Sequence, residues 1–168
     1  MPRIFSFALV ALALATSPSA FAIDNNVKLT QKTDAVDISI GGELFGTYHT
    51  SHALPKPFLL PATAPGGVVV TRSLEKPEDH PHHKGIWCSI DEVNDIKFWA
   101  EKGKIENVSV KPLVAEGNPA KLQVVNHWLN EDGKPLVAET TVISIYANRL
   151  LAYDMTFAAV DASVTFND

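Results

Sequence analysis

The feature that most constrains the fold is a two-residue alternation of apolar and polar side chains, clearest in the last third of the chain. Leu122, Val124 and Trp128 share one face of a predicted strand, whereas His127 lies on the other face. A period of two places one face on a core and the other in water. No 3.6-residue apolar stripe of useful length follows residue 22, so the pattern predicts an all-β domain.

Turn signals divide the rest of the chain into short strands. Gly41-Gly42, Asn94-Asp95 and Asp132-Gly133 are predicted turns, and Glu101 lies in a stretch (101–104) predicted to be a solvated turn. Other predicted strands are 27–30, 36–40, 43–48, 68–70 (buried), 85–90, 96–100, 105–110 (ended by Pro112), 136–146 and 151–157. About ten short strands with regular turns predict a sandwich or a barrel.

The first 22 residues predict a cleaved secretory signal peptide. Arg3 supplies a positive start, residues 4–15 are apolar except for Ser6, and Ala20-Phe21-Ala22 has the small-x-small pattern of a cleavage site. The apolar run is shorter than the about 20 residues that a membrane-spanning helix needs. We therefore expect cleavage after Ala22, a periplasmic or secreted protein with no membrane span, and one β-sandwich domain over residues 23–168.

Composition narrows the classes of partner. The chain carries 14 lysines and arginines against 19 aspartates and glutamates, a net charge of −5, and loss of Arg3 with the signal would make it more acidic. Nucleic acids and anionic lipid surfaces are bound by basic patches, so neither is an expected partner. The single cysteine, Cys88, cannot form an intramolecular disulfide and is predicted to be a small buried hydrophobe.

The strongest candidate for chemistry is residues 79–85, Asp-His-Pro-His-His-Lys-Gly, which holds three of the six histidines. Imidazole is a frequent metal ligand and transfers protons near neutral pH. The candidate catalytic residues are therefore Asp79, His80, His82 and His83. If the segment is extended, His80 and His82 point the same way and His83 points to the opposite side.

Two interpretations of this segment compete with a catalytic one. His80 and His82 could form half of a site for copper, zinc or iron. The third ligand would then come from elsewhere in the chain, and the candidates are His49, His52, His127 and Glu139. Alternatively, the histidines belong to a surface loop and are hydrogen-bonded to Asp79 and to the main chain.

Four residues outside the segment are candidates for substrate binding. Arg72 could clamp a carboxylate or phosphate, or it could pair with Glu75 or Glu78. Trp99 is a candidate to stack on a sugar ring, whereas Trp87 is expected in the core. The remaining two candidates are Asn94, at the tip of its turn, and His127, which is solvent-facing unless its sheet face is concave.

Several motifs resemble a family of exported bacterial proteins labelled "methane oxygenase PmoA". The resemblance covers nearly all of the chain after the signal but only the N-terminal part of that family's members, so we expect a truncated chain. Asn94-Asp95 stands where the family has Asn-Gly. The motifs are Pro57-Phe58-Leu59, Val70-Thr71-Arg72, the segment 79–85 with Ile86-Trp87, Asp91-Glu92-Val93-Asn94, Phe98-Trp99, Gly103-Lys104-Ile105, Asn126-His127-Trp128, Asp132-Gly133-Lys134 and Val164-Thr165-Phe166.

This resemblance implies an antiparallel β-sandwich, similar to the supersandwiches of galactose mutarotase-type proteins, and a link to carbohydrate catabolism. The leading hypothesis is an exported protein that binds or modifies a carbohydrate-like small molecule. A metal-dependent enzyme and a non-catalytic binding or structural module are the alternatives. Methane oxidation is not expected, because the membrane subunit of particulate methane monooxygenase spans the bilayer with apolar helices and this chain has none after residue 22.

Overall fold

The computed structural model describes residues 26–74, 79–88 and 90–167, and over these ranges the chain forms strands and no helix. The predicted all-β class is therefore confirmed. Within the same ranges, no helix combines the length and the apolar character that crossing a bilayer requires. The predicted signal peptide, residues 1–22, lies outside the described residues.

The strands in chain order are β1 (Val27–Gln31), β2 (Ala35–Ile40), β3 (Glu43–His49), β4 (Phe58–Ala62), β5 (Glu92–Val93), β6 (Ile96–Lys97), β7 (Lys104–Val114), β8 (Glu116–Gly117), β9 (Ala120–Leu129), β10 (Pro135–Ile145), β11 (Leu151–Ala159) and β12 (Phe166–Asn167).

These strands form three antiparallel sheets in the described part of the chain. The first sheet has the order β4-β3-β2-β1-β8, the second β11-β10-β9-β7, and a small third sheet β12-β5-β6. Neighbours in the first two sheets are mostly consecutive in the chain, because short turns such as Gly41-Gly42 and Asp132-Gly133 join them. Gly133 has φ +77°, a conformation that favours glycine, so the predicted hairpin of β9 and β10 is confirmed.

The first two sheets pack face to face and enclose the main core. Every second side chain of a strand points into the core, as in β2, where Val36, Ile38 and Ile40 are buried. An antiparallel β-sandwich is therefore the observed architecture. The core residues are Val27, Leu29, Val36, Ile38, Ile40, Phe45, Tyr48, Leu59 and Ala62 from the first sheet, with Ala120, Leu122, Val124, Ile143 and Ile145 from the second.

A second, smaller core lies at one end of the sandwich. Trp128 of β9 is fully buried there, and the Phe98 ring packs on it with centroids 4.9 Å apart. Val93, Ile105 and Val137 complete this cluster. The third sheet covers it, and the loops on either side of that sheet carry the histidine segment and Trp99.

Several strand predictions were wrong in detail. Residues 68–70 form no buried strand: all three valines are exposed, and only Val69 makes a bridge, to Thr63. Main-chain hydrogen bonds join them to the end of β4, from the Val70 amide to the Ala62 carbonyl and from the Ala64 amide to the Val68 carbonyl, but their side chains stay exposed. The predicted strand 85–90 is reduced, among the described residues, to one bridge between Ile86 and Leu59.

Two strand ends were also misplaced. Pro112 does not end its strand, because β7 continues to Val114 with a register shift between the two residues. Proline is tolerated at edge strands and bulges, and β7 is an edge strand. The predicted strand 96–100 ends at Lys97, since Phe98 turns into the small core.

Candidate functional site

Residues 79–85, which we call the histidine turn, are not extended. The His83 amide donates a hydrogen bond to the His80 carbonyl at 3.1 Å, which closes a turn around Pro81. The prediction that His83 points away from His80 and His82 is therefore wrong. The His83 ring stacks on His80 and meets His82 edge-on, with centroids 4.6 Å apart in both pairs.

Two consecutive ion pairs, from Arg72 to Asp79 and from Asp79 to His80, orient the His80 ring. The Arg72 guanidinium lies 2.7 Å from Asp79, whose other carboxylate oxygen lies 3.1 Å from His80 Nδ1. Arg72, followed by His80, holds the pKa of the Asp79 carboxyl well below its usual range. The carboxylate accepts a hydrogen bond from His80 Nδ1–H, and in the neutral form of the ring this leaves the lone pair on Nε2. Glu75 and Glu78, the expected partners of Arg72, lie outside the described residues.

The ring of Trp99 lies against the other two histidines. Its centroid is 6.1 Å from that of His82 and 5.8 Å from that of His83, and Trp87 tilts against it at 4.9 Å. Trp99 remains 42% exposed. Burial lowers the pKa of His82, and the neighbouring His83 adds to that shift, which favours the neutral imidazole.

A buried lysine, Lys56, holds the main chain of the histidine turn by a hydrogen bond. Lys56 is only 2% exposed, and its Nζ donates to the His82 carbonyl at 2.8 Å. The same nitrogen lies 3.1 Å from Glu101 Oε1 and 3.0 Å from the centroid of Trp87. Burial lowers the pKa of Lys56 to about 8, although Glu101 opposes the shift.

A second lysine completes this support. Lys84 Nζ donates to the Pro81 carbonyl at 2.8 Å and to the two Glu101 oxygens at 2.6 and 2.5 Å. Glu101 is therefore not in a solvated turn as predicted: its side chain is largely buried between two ammonium groups. Sequence reasoning missed both Lys56 and Glu101, because a lysine in a proline-rich connection and a glutamate in a charged turn show no pattern of burial.

A groove opens beside Trp99. It has a volume of about 290 Å³ and is lined by Ile86, Trp87, Cys88, Trp99, Tyr153 and Met155. Gly85 allows the chain to pass close to β4 and so to place Ile86 in the groove lining. It has φ +69°, and a Cβ there would lie 2.2 Å from the Leu59 carbonyl oxygen, so only glycine lets the chain pass this strand.

The two sides of the groove have different origins. Tyr153 and Met155 come from β11, where the predicted alternation directs both toward the groove. Cys88 is partly buried on the other side, and burial raises the pKa of its thiol to about 11. The thiol is thus protonated at neutral pH, in line with its interpretation as a small hydrophobe.

Two predicted binding residues lie elsewhere. Asn94 exchanges hydrogen bonds with Thr165, accepting from its amide at 2.9 Å and donating from its own amide at 3.0 Å. It thereby fixes the third sheet. His127 lies on the face of β9 opposite the buried Trp128, in register with Glu106 of β7.

The candidate third metal ligands have other partners as well. His49 Nε2 lies 2.8 Å from the Leu60 carbonyl oxygen, and His52 pairs with Glu106 at 3.2 Å. Glu139 is buried and accepts hydrogen bonds from Asn126, Trp128 and Thr141. Over residues 26–74, 79–88 and 90–167, no three histidine, cysteine, aspartate or glutamate side chains form a group that could hold a metal ion.

Comparison with known proteins gives one match. Neither a curated protein nor a solved structure matches the sequence. One family model matches residues 35–168, which include the whole histidine turn, Trp99 and the groove. Because that match covers most of the chain, the protein belongs to a family described as a family of unknown function, DUF6807.

Proposed function

We propose that this protein is exported and binds a carbohydrate-like small molecule in the groove beside the histidine turn. The observation that carries the proposal is the exposed Trp99 ring, which borders an open groove and is flanked by two imidazoles. The contacts of Arg72, Asp79, His80, His82, His83 and Trp99 form one continuous network. Asn94 and His127 are not part of this proposal.

The chemistry of the groove suits a sugar ring. One face of a sugar consists of C–H groups that pack on an aromatic ring, and its rim carries hydroxyl groups that need hydrogen-bond partners. Trp99 and Trp87 supply the aromatic surface, and the ring nitrogens of His82 and His83 supply donors and acceptors beside it. Small-molecule sites combine an apolar lining with a few convergent polar groups in this way.

The histidine turn also supports acid–base chemistry on the bound molecule. Asp79 orients His80 so that Nε2 can accept a proton, and the neutral His82 is a second acceptor. Proton transfer by imidazole would serve an epimerisation, a lyase reaction or a hydrolysis. Lys56 and Lys84 hold the carbonyl groups of the turn and so keep these rings in place.

Titration calorimetry with a panel of simple and modified sugars tests the proposal. We expect the wild-type protein to bind at least one of them, Trp99→Ala to weaken binding about tenfold or more, and Trp99→Phe to retain most of it. Leu113→Ala is the matched control, since Leu113 is similarly exposed but lies on the edge strand β7. Absence of binding to the whole panel, or equal binding by Trp99→Ala, would contradict the proposal.

Export is supported by the first 22 residues and by the resemblance to the exported proteins labelled PmoA. Expression of the chain from Met1 in a bacterium, followed by N-terminal sequencing of the periplasmic fraction, tests it. We expect a new N-terminus at Ile23. Recovery of the intact chain in the cytoplasm alone would overturn this part of the proposal.

The clustering of three imidazole rings favours a second candidate function, a transition-metal enzyme that uses His80 and His82. Elemental analysis of tag-free protein decides between the two. About one copper, zinc or iron per chain, lost in His82→Ala, would favour the metal enzyme. A metal content far below one ion per chain would exclude the metal enzyme. If alanine changes at His80, His82 and His83 alter stability but no ligand affinity, the turn is only structural.

A further inference from the structure

A small, partly open cavity lies next to the groove, between the two sheets. Its volume is about 10 Å³, and its polar lining consists of Tyr48, Asn126, Glu139, Thr141 and Tyr153. Trp87, Cys88, Tyr153 and Met155 line both the cavity and the groove. The two spaces therefore adjoin, and these four side chains lie between them.

The hydroxyl of Tyr153 lacks a protein partner in this cavity. Its oxygen is buried, and none of the described residues lies within hydrogen-bonding reach of it. Burial raises the pKa of Tyr153 to about 12, with Cys88 and Glu139 adding to the shift, so the hydroxyl keeps its proton and is a donor. Buried hydroxyls in native proteins are almost always paired with a protein group or with an ordered water.

The buried carboxylate of Glu139 offers the complementary group. Its Oε1 accepts from Asn126 at 3.0 Å and from Thr141 at 2.8 Å. Its Oε2 accepts from Trp128 at 2.9 Å, and a carboxylate oxygen accepts two hydrogen bonds. Among the described contacts, Oε2 therefore has capacity for one more donor. Glu139 and Tyr153 both line the cavity.

We propose that this cavity is the binding site of one internal water molecule, which accepts a hydrogen bond from the Tyr153 hydroxyl and donates one to Glu139 Oε2. A cavity of about 10–15 Å³ is the smallest that holds a water, and an internal water needs two to four polar partners. The cavity meets both conditions, and it is too small for a larger ligand. Tyr48, which also lines the cavity, supplies a further polar partner.

This water does not depend on what the groove binds, but it would hold one of the side chains that line the groove. The ring of Tyr153 forms part of that wall, and its buried hydroxyl has no partner among the described residues. A water that joins Tyr153 to the buried network of Glu139 fixes the ring in place. The wall next to Trp87 and Cys88 is then preformed before any ligand enters.

High-resolution crystallography of the whole chain tests the proposal. We expect one ordered water within hydrogen-bonding distance of both Tyr153 Oη and Glu139 Oε2. Tyr153→Phe should lose this water or reduce its occupancy severalfold, because the donor is gone. Tyr146→Phe is the matched control, since Tyr146 lies just after the last residue of β10 and does not line the cavity, and it should keep the water.

Solution NMR provides a second readout that does not depend on crystals. Cross-relaxation peaks between a long-lived water and the Thr141 methyl protons should be present in the wild type and in Tyr146→Phe, and absent in Tyr153→Phe. A dry cavity in a well-ordered structure, or a direct hydrogen bond from Tyr153 to any protein group, would overturn the proposal. If Tyr153→Phe does not fold, the wild-type density and cross-peaks decide the question.

Discussion

The sandwich core and the histidine turn are stabilised by different kinds of interaction. In the core, Ile38, Leu122 and Ile143 are held by apolar burial that depends on side-chain alternation. In the turn, main-chain carbonyl groups are held by Lys56 and Lys84, whose charges share the carboxylate of Glu101. Apolar burial tolerates small shifts, whereas charge pairing depends on distance and direction. The core therefore stabilises the fold, and the turn depends on a few polar contacts.

The largest expected effect on stability lies in the core. Leu122→Ala removes buried methyl groups between the two sheets, and we expect the free energy of unfolding to fall by about 3 kcal/mol. Leu113→Ala, on an exposed position of β7, should change it by less than about 0.5 kcal/mol. Urea denaturation measures both. Equal losses of unfolding free energy in the two variants would show that Leu122 contributes no more to stability than the exposed Leu113.

The next largest effect lies beneath the histidine turn. Glu101→Gln keeps the shape of the side chain but removes the counter-ion of the buried Lys56, which then stays charged without a carboxylate partner or loses its proton. Because Glu101 is partly exposed, we expect a loss of about 2 kcal/mol, below the range for a fully buried pair. Lys56→Met in the same background should restore part of the loss. If Glu101→Gln is as stable as the wild type, Lys56 is not held as a charge.

The pH dependence of stability sharpens the same comparison. The folded pKa of Lys56 is about 8 against 10.5 in the unfolded chain. Between these values the unfolded chain binds a proton that the folded chain has released, so the Lys56 contribution to stability rises with pH. Below pH 8 both states are protonated, and the contribution is at its lowest. The rise across the window should be on the order of 2 kcal/mol.

Other groups titrate in this range, so the measurement is a difference between proteins. The Cys88 thiol, with its pKa raised to about 11 from 9.0, lowers stability as pH rises through that interval. We therefore compare urea denaturation of the wild type with that of Lys56→Met from pH 7.5 to about 10.5. The difference should grow with pH, whereas the difference for the exposed Lys121→Met should stay flat. A flat difference for Lys56→Met would refute the assignment.

The smallest expected effect on stability belongs to Trp99. Its side chain is 42% exposed and lies outside both cores, so Trp99→Ala should lower the free energy of unfolding by less than about 1 kcal/mol. The same change should remove most ligand binding in the groove. Thermal unfolding and calorimetry on one sample measure both quantities. A large loss of stability would show that Trp99 is a core residue rather than a ligand platform.

The histidine turn shows where prediction from the sequence stops. Asp79, His80, His82, His83, Arg72 and Trp99 were found as candidates because their residue types are unusual in so short a stretch. Their geometry was misjudged, because strand alternation was applied to a segment that a hydrogen bond closes into a turn. Lys56, Glu101 and Tyr153 escaped notice, since each is brought to the site from a distant strand or loop.

The sequence by itself determined the all-β class, the faces of the long strands and the turns at Gly41-Gly42 and Asp132-Gly133. Those features follow from alternation and backbone preference, which act between neighbours in the chain. Only the tertiary structure decided that Lys56 lies under His82, that Glu101 joins two lysines, and that Tyr153 closes the wall of the groove. Burial and pairing between residues far apart in sequence depend on how the sheets pack, and no local pattern encodes that packing.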